Sequence, residues 1–380
     1  MAEVFEINDI DTLQAYRADW DRLFAETPDA HFFQTLDWLT LYWQHFGRDQ
    51  QLRVLIVTVD QQVIGIVPLC VRTQWHKLGP IRTLGYPLEG WGNSFGPLAA
   101  HPALTMALAM NHLATTPRNW DRLQLDWVDD SPAHLAATDR CLKLAGLPAQ
   151  AETHQSRAII EFPDGWQTYL ASRSTKTRQE LRRLARRADN QPNVEYVRYR
   201  PESVANHGGD PRWDLYDQCE QVSRQSWQCG STNGNTLCHA RYREFYRAAH
   251  AAAARLGMLD LNLLLVDNQP VAFNYNYHCD GRIIGLRMGY DAAQSLNGAG
   301  LTLLALSLRD SCHRGDQSLD MGFGNQDFKQ RLQTSEQPSY CLTHTPRYAL
   351  RCQALRIGHW LRNRRSLERS ELAKQMSGAK

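Results

Sequence analysis

One stretch constrains the chain more than any other, the run from Gly257 to Lys329. Leu261–Val266 reads as a strand, Asp267-Asn268-Gln269-Pro270 as a turn and Val271–His278 as the return strand. Asp280-Gly281 then turns the chain into a third strand, Arg282–Tyr290. Asn297-Gly298-Ala299-Gly300 opens a helical run to Arg309, and a further strand ends in Leu319-Asp320-Met321-Gly322-Phe323-Gly324, with Lys329 beyond it. A glycine turn at a helix N-terminus is a place to hold an anion, because free N–H groups and the helix dipole converge there. A strand ending in Asp-x-Gly-x-Gly opens a sheet edge to a substrate.

The same order occurs earlier. Leu52–Val59, the turn Asp60-Gln61-Gln62 and Val63–Val71 form a hairpin pattern. A glycine- and aromatic-rich stretch follows (Gly85 to Pro97), then a helix at about 102–115, a strand Arg122–Val128 carrying Asp126, and a helix at about 132–145 closed by Gly146. Val59-Asp60-Gln61-Gln62-Val63 echoes Val266-Asp267-Asn268-Gln269-Pro270-Val271. Alone the echo is weak, since Asp and Asn suit many turns through local hydrogen bonds. Repeated with loop, helix and Asp-bearing strand in order, it indicates an internal duplication. A length of 380 residues fits two domains. Two helices precede the first hairpin, over about 11–25 and from Trp38 to Phe46, the second closed by Gly47.

Between the halves lies a basic segment. A helix is expected from Trp166 through Ser172-Arg173-Ser174-Thr175-Lys176-Thr177-Arg178 to Arg187. Arg178, Arg182 and Arg186 recur at i+4 on one face, with Leu181, Leu184 and Ala188 on another. A Pro/Gly-rich loop (Arg200–Pro211) and helices near 213–228 and 239–256 complete the insert. From Ala354 the tail reads as a basic helix.

Composition narrows the function classes. Hydrophobic content of 43% and charged content of 22% fit a globular protein with a sizeable core, and a net charge of +2 argues against DNA as a partner. No apolar run approaches the ~18 residues of a membrane helix. The N-terminus Met1-Ala2-Glu3-Val4-Phe5-Glu6 lacks a signal-peptide order, so a cytoplasmic location is expected. The 9 cysteines show no C-x-x-C pair, and Cys219, Cys229 and Cys238-His239 fit no standard zinc spacing. Reduced thiols and no metal are expected.

Several residues carry candidate chemistry. Gly298 and Gly300, with Asn297 as an added donor, suit a phosphate or carboxylate; the alternative is an ordinary tight turn. Asp320 is placed to orient or deprotonate an attacking amine. Lys329 is placed to pair with an anion or stabilise an oxyanion. Tyr290 is a proton donor for a leaving group, or packing. Lys176 and Arg178 open the basic face, which suits pyrophosphate, a coenzyme A tail, a nucleotide-sugar or tRNA, or is simply a solvated surface. Trp91 and Asn93 in the glycine-rich loop, and Trp227 after Ser226, are candidates for lining an acceptor groove.

Phe33-Gln34-Thr35-x-x-Trp38 with Trp43 and Phe46-Gly47, the Ser174-x-Lys176-x-Arg178 to Arg183 helix, Ser226-Trp227 and the closing Asp320-x-Gly-x-Gly-x-x-x-Phe-Lys329 resemble CelD-type proteins associated with cellulose or exopolysaccharide synthesis. That group is similar to the FemAB-type peptidoglycan aminoacyl transferases. The resemblance spans roughly residues 20–345 and implies an α/β fold of tandem GNAT-like (N-acetyltransferase) domains, mixed sheets packed by helices. The expected division is residues 1–155 for a degenerate first domain, 156–350 for a second with the basic insert, and 351–380 for a basic tail. The implied activity is acyl transfer to an amine of a cell-envelope or glycan-precursor acceptor. Acetyl-CoA, another acyl donor or aminoacyl-tRNA would be the co-substrate. Gly298 and Gly300 match the GNAT phosphate turn in part, Gln294 standing one residue too far away; Lys329 matches the terminal lysine of FemAB-type enzymes. A different class, a non-catalytic binding module in an exopolysaccharide assembly, also fits degenerate turns. A nucleic-acid binder using the Arg-rich helix is a third.

Overall fold

The computed structural model describes residues 1–355 and 357, apart from 89–93, 130, 163–164, 202–208, 231–235, 292, 294–297 and 325. In chain order the elements are β1 (Ala2–Ile7), α1 (Arg17–Glu26), α2 (Leu36–Phe46), β2 (Gln50–Val59), β3 (Gln62–His76), β4 (Gly79–Gly85), α3 (Pro102–Thr115), β5 (Arg122–Asp129), α4 (Ala137–Leu144), β6 (Gln150–Glu161), α5 (Trp166–Ala171) and α6 (Thr175–Asn190). They continue as β7 (Val194–Tyr199), α7 (Trp213–Gln225), α8 (Arg243–Arg255), β8 (Leu259–Val266), β9 (Gln269–Cys279), β10 (Arg282–Tyr290), α9 (Ala299–Arg314), β11 (Ser318–Phe323), α10 (Asp327–Leu332) and β12 (Ser335–His344).

The chain divides into two units, the first of Met1–Thr27, Phe46–His154 and Tyr340–Lys380, the second of Pro28–His45 and Gln155–Ser339. In the first, β1 to β4 form an antiparallel meander and β4 pairs with β5 in parallel, Thr83↔Arg122 and Leu84↔Leu123. A parallel pair needs a crossover, and α3 supplies it. Gly65 on β3 is there because α3 lies so close: a Cβ would stand 2.2 Å from Thr105 Oγ1.

The second unit repeats this plan. β7 to β10 are an antiparallel meander, β10 pairs with β11 in parallel across the crossover α9, and β11 pairs with β6. Leu181 and Leu184 of α6 and Leu304, Ala305 and Leu308 of α9 pack over Ile160, Ile283 and Leu319 of the sheet. Phe273, Tyr275 and Tyr277 alternate along β9, and Tyr275 and Tyr277 join Tyr216, Phe245 and Tyr246 as buried aromatics. Arg198 of β7 and Arg200 just beyond it share Asp260, each at 2.7 Å, tying the edge strand to its neighbour.

The two hairpins agree in detail. Asp60 and Gln61 (φ 48° and 69°) and Asp267 and Asn268 (φ 50° and 59°) are paired left-handed turn residues, the conformation whose twist suits a two-residue hairpin. Each hairpin also carries a register shift just before its turn, at Val57/Thr58 and at Leu264/Leu265.

Three features differ from the sequence expectation. Pro28–His45, expected in the first domain, belongs to the second unit. Its Phe32 ring lies 4.4 Å from Tyr277 and its Trp38 ring 5.0 Å from Phe245. The unit boundaries fall inside β6 and β12, so each unit holds part of both strands. The expected continuous helix from Trp166 is two helices, because Ser174 Oγ accepts the Thr177 N–H (3.3 Å) and caps α6. Among the described residues no helix is long and apolar enough to cross a membrane; most of the basic tail lies outside them.

Candidate active site

Pairing between β10 and β11 runs from Arg282↔Ser318 to Ile284↔Asp320 and stops. β10 bulges between Gly285 and Arg287, and β11 turns at Gly322 with φ 74°. Gly285 is needed at the fork, since a Cβ there would come within 2.9 Å of the Asp320 carbonyl oxygen. Parallel strands that part in this way present backbone polar groups at their C-terminal ends, where α/β sheets bind ligands.

Lys329, from the short helix α10, is seated at this fork. Its Nζ donates to the carbonyls of Gly322 (3.2 Å) and Phe323 (2.7 Å), and the residue is only 7% exposed. Burial lowers its pKa to about 8, with the nearby Asp320 charge pulling the other way. Asp320 is itself buried: Oδ2 accepts from Arg157 Nη1 (2.6 Å) and Oδ1 from the Gly322 N–H (2.7 Å). Arg157, on β6, also reaches Gln337 Oε1 at 3.3 Å. Sequence reading missed Arg157 because β6 carries no clear strand pattern and lies 163 residues from Asp320.

The glycine turn sits at the start of α9. Gly298 is left-handed (φ 81°), and its carbonyl accepts the Thr302 N–H at 2.8 Å. Gly300 leaves room for Tyr290, whose Cδ1 would be 3.2 Å from a Cβ there. Gly298, Gly300 and the exposed Tyr290 therefore form one group. The first N–H groups of a helix have no intrahelical acceptor and are available to an anion. Asn297 and Gln294 lie outside the described residues.

α6 packs its inner face close by, Leu184 Cδ2 standing 4.0 Å from the Cβ position of Gly298. Lys176 and Arg178 occupy its first turn. Its outer face lines a groove of about 430 Å³ with Gln179, Arg182, Arg183, Arg186, Arg187 and Asn190. The carboxylates of α6 are neutralised from outside the helix, Glu180 by Arg331 and Asp189 by Arg309, both at 2.7 Å. That leaves the groove arginines without a carboxylate partner among the described residues.

Other candidates stand apart. Trp227 is 70% exposed on a 3-10 turn (Trp227–Gly230), and among the described residues no hydrogen bond or ring contact joins it to Asp320 or Lys329. Trp91 and Asn93 lie outside the described residues. The first unit does gather Ser94, Asp129 and His134: Ser94 Oγ donates to Asp129 Oδ2 (2.6 Å), which lies 3.1 Å from His134 Nδ1. A nucleophilic serine would need His134 Nε2, which instead faces Gly96, 2.8 Å from its Cβ position. The trio therefore anchors a loop. Among the described residues no group of three or more His, Cys, Asp or Glu side chains could hold a metal.

Residues 175–330 match the profile of the acetyltransferase (GNAT) domain. No curated protein matches the chain. Among solved structures, FemX is similar with a TM-score of 0.60 and 9% identity over 92% of this chain and 98% of that one. L-PGS from Bacillus licheniformis is similar with a TM-score of 0.53 and 13% identity, covering 91% and 95%. The C-terminal domain of a putative lysylphosphatidylglycerol synthetase from Agrobacterium fabrum gives 0.54 and 11%, covering 91% and 96%. At these identities the likeness is one of fold. The chain thus has a mixed α/β fold of two repeated units like that of these structures, and its residues 175–330 match the acetyltransferase (GNAT) domain.

Proposed function

We propose that the protein transfers an acyl or aminoacyl group to an amine of a cell-envelope or exopolysaccharide-related acceptor, with chemistry at the fork between β10 and β11. The observation that carries this reading is the buried Lys329 ammonium. An ammonium has three N–H donors, and two are taken by the Gly322 and Phe323 carbonyls. Among the described residues the third has no acceptor, which leaves it for an oxygen arriving at the fork. When an amine attacks the donor carbonyl, a C–N bond forms and the carbonyl oxygen becomes an oxyanion; Lys329 stabilises that charge in a site where water is scarce. The oxyanion then collapses, the bond to the donor's leaving group breaks, and the amine's proton passes to bulk water, from which the leaving group's proton donor is recharged. Tyr290, beside the glycine turn, would give a proton to the leaving group.

Asp320 has both oxygens engaged, by Arg157 and by the Gly322 backbone. Of the two roles expected for it, holding the site in place suits this geometry better than deprotonating the amine. Gly298 and Gly300 would receive the donor's phosphate, with Asn297, next in sequence, as an added donor and Lys176 and Arg178 as outlying cations. Coenzyme A donors and aminoacyl-tRNA both fit an anion site followed by a basic helix. Trp227, exposed in the same unit, would be a wall for the acceptor. An envelope-related acceptor agrees with the CelD-type and FemAB-type resemblance, and a cytoplasmic site of action agrees with nine free thiols.

The test is transfer by purified protein from acetyl-CoA and from aminoacyl-tRNA to amine acceptors, read by mass. Lys329→Met is expected to lose about 100-fold or more in kcat while donor affinity and fold are retained. Wild-type protein inert with both donor classes, or a variant as active as wild type, would overturn the proposal.

A further inference from the structure

Two of the nine thiols stand together, away from the fork. Cys229 is exposed on the 3-10 turn Trp227–Gly230, and Cys238 is half-buried nearby. Their Sγ atoms are 3.8 Å apart. Cys238 is held from behind by Thr236 Oγ1 (3.2 Å) and Ser223 Oγ (3.5 Å), and those two hydroxyls hydrogen-bond each other. Ser223 belongs to α7, and the neighbouring Leu237 is fully buried. One thiol is therefore anchored to the core and the other is offered to solvent on a surface turn.

We propose that Cys229 and Cys238 form a reversible disulfide. A disulfide needs the sulfurs at about 2.05 Å, so they must close by a little under 2 Å. Side-chain rotation at the exposed Cys229 supplies such a movement. With a low-molecular-weight disulfide such as oxidised glutathione, the Cys229 thiolate attacks one glutathione sulfur, forming a mixed disulfide and releasing one glutathione thiol. The Cys238 thiolate then attacks Cys229 Sγ, forms the intramolecular S–S bond and releases the second thiol. Two protein S–H bonds become one S–S bond; two electrons and the two protons end on glutathione. A reducing compartment keeps the pair as thiols, and oxidative challenge closes it. Closure ties the turn bearing the exposed Trp227 to a segment fixed by Leu237 and α7. This inference does not depend on the proposed acyl transfer. Zinc is the less suitable occupant, since it asks for four ligands and the described residues gather no such set.

The experiment treats the reduced full-length protein with oxidised glutathione, quenches with acid, alkylates free thiols and maps the peptides by mass. Wild type should lose the mass of two hydrogens, with the Cys229 and Cys238 peptides joined, and dithiothreitol should restore it. Cys238→Ser should stall as a stable glutathione adduct on Cys229. Cys229→Ser should form no disulfide and lose thiols about tenfold more slowly. Trp227 emission should shift on oxidation of wild type and stay constant in Cys238→Ser, whose melting temperature serves as the folding control. A wild-type protein that accumulates the glutathione adduct without an internal bond, or that forms the bond only in denaturant, refutes the proposal.

Discussion

A buried ammonium works against the fold that holds it, and Lys329 is such a group. Its pKa in the folded protein is lowered to about 8, against 10.5 ordinarily. Below pH 8 the lysine is charged in both folded and unfolded chains, and the full burial penalty is present. Between about 8 and 10.5 the unfolded chain still binds the proton while the folded one has shed it, so this residue's contribution makes stability rise with pH. Oxyanion stabilisation needs the ammonium and falls through the same window. Activity and the Lys329 contribution to stability should therefore move in opposite directions above pH 8. The check is a kcat/KM profile set beside melting curves of wild type and Lys329→Met, where the difference between the two proteins should widen with pH in favour of wild type. Arg157 is the second residue-scale test. Arg157→Met strands a buried Asp320 and should cost about 3–5 kcal/mol in denaturant unfolding, as breaking a buried pair does; Arg157→Lys should recover part of it. Lys329 and Asp320 were legible as the end of a Gly-rich strand. Arg157 was not, because its meaning depends on which strand lies beside β11.

At the scale of elements, the start of α9 and the face of α6 divide the work of holding a donor. Gly298 is left-handed, so Gly298→Ala should cost about 1–2 kcal/mol by thermal or denaturant unfolding. Gly300→Val addresses function instead: its side chain would press on the Tyr290 ring and narrow the helix N-terminus. KM for the donor should rise with little change in melting temperature. Replacing Arg182, Arg183, Arg186 and Arg187 together by Gln tests the outer face. If the donor is a nucleic acid, its log affinity against log salt should flatten by about 0.7–0.9 for each phosphate contact removed. A flat slope in wild type would point to a small donor. The basic face was readable from i+4 spacing alone, since helical periodicity is a property of the backbone. The break before α6 was missed although Ser174 and Thr177 carry it; the arginine run reads through a cap that depends on one side-chain hydrogen bond.

For the whole molecule, division of the chain at residue 155 cuts across both units. A fragment of residues 156–350 lacks Pro28–His45, whose Phe32, Phe33 and Trp38 pack with Tyr277 and Phe245. It should show no cooperative thermal transition by circular dichroism, whereas the full chain should. Trp38→Ala in the full chain removes a fully buried indole and should cost about 3–5 kcal/mol. A fragment that melts as sharply as the parent would show that this aromatic segment is dispensable.

What the sequence by itself determined is local and repeated: the two hairpins with their left-handed Asp-Gln and Asp-Asn turns, the glycines opening α9, the Asp-x-Gly-x-Gly strand end and the basic stripe of α6. Each is written within a few residues, because turn chemistry, helix period and strand alternation act at that range. Tertiary structure alone decided the rest. It divided β6 and β12 between the units, moved Pro28–His45 into the second and set Arg157 against Asp320. Those outcomes rest on sheet order and register between segments far apart in the chain, which burial of whole faces selects and no short pattern records.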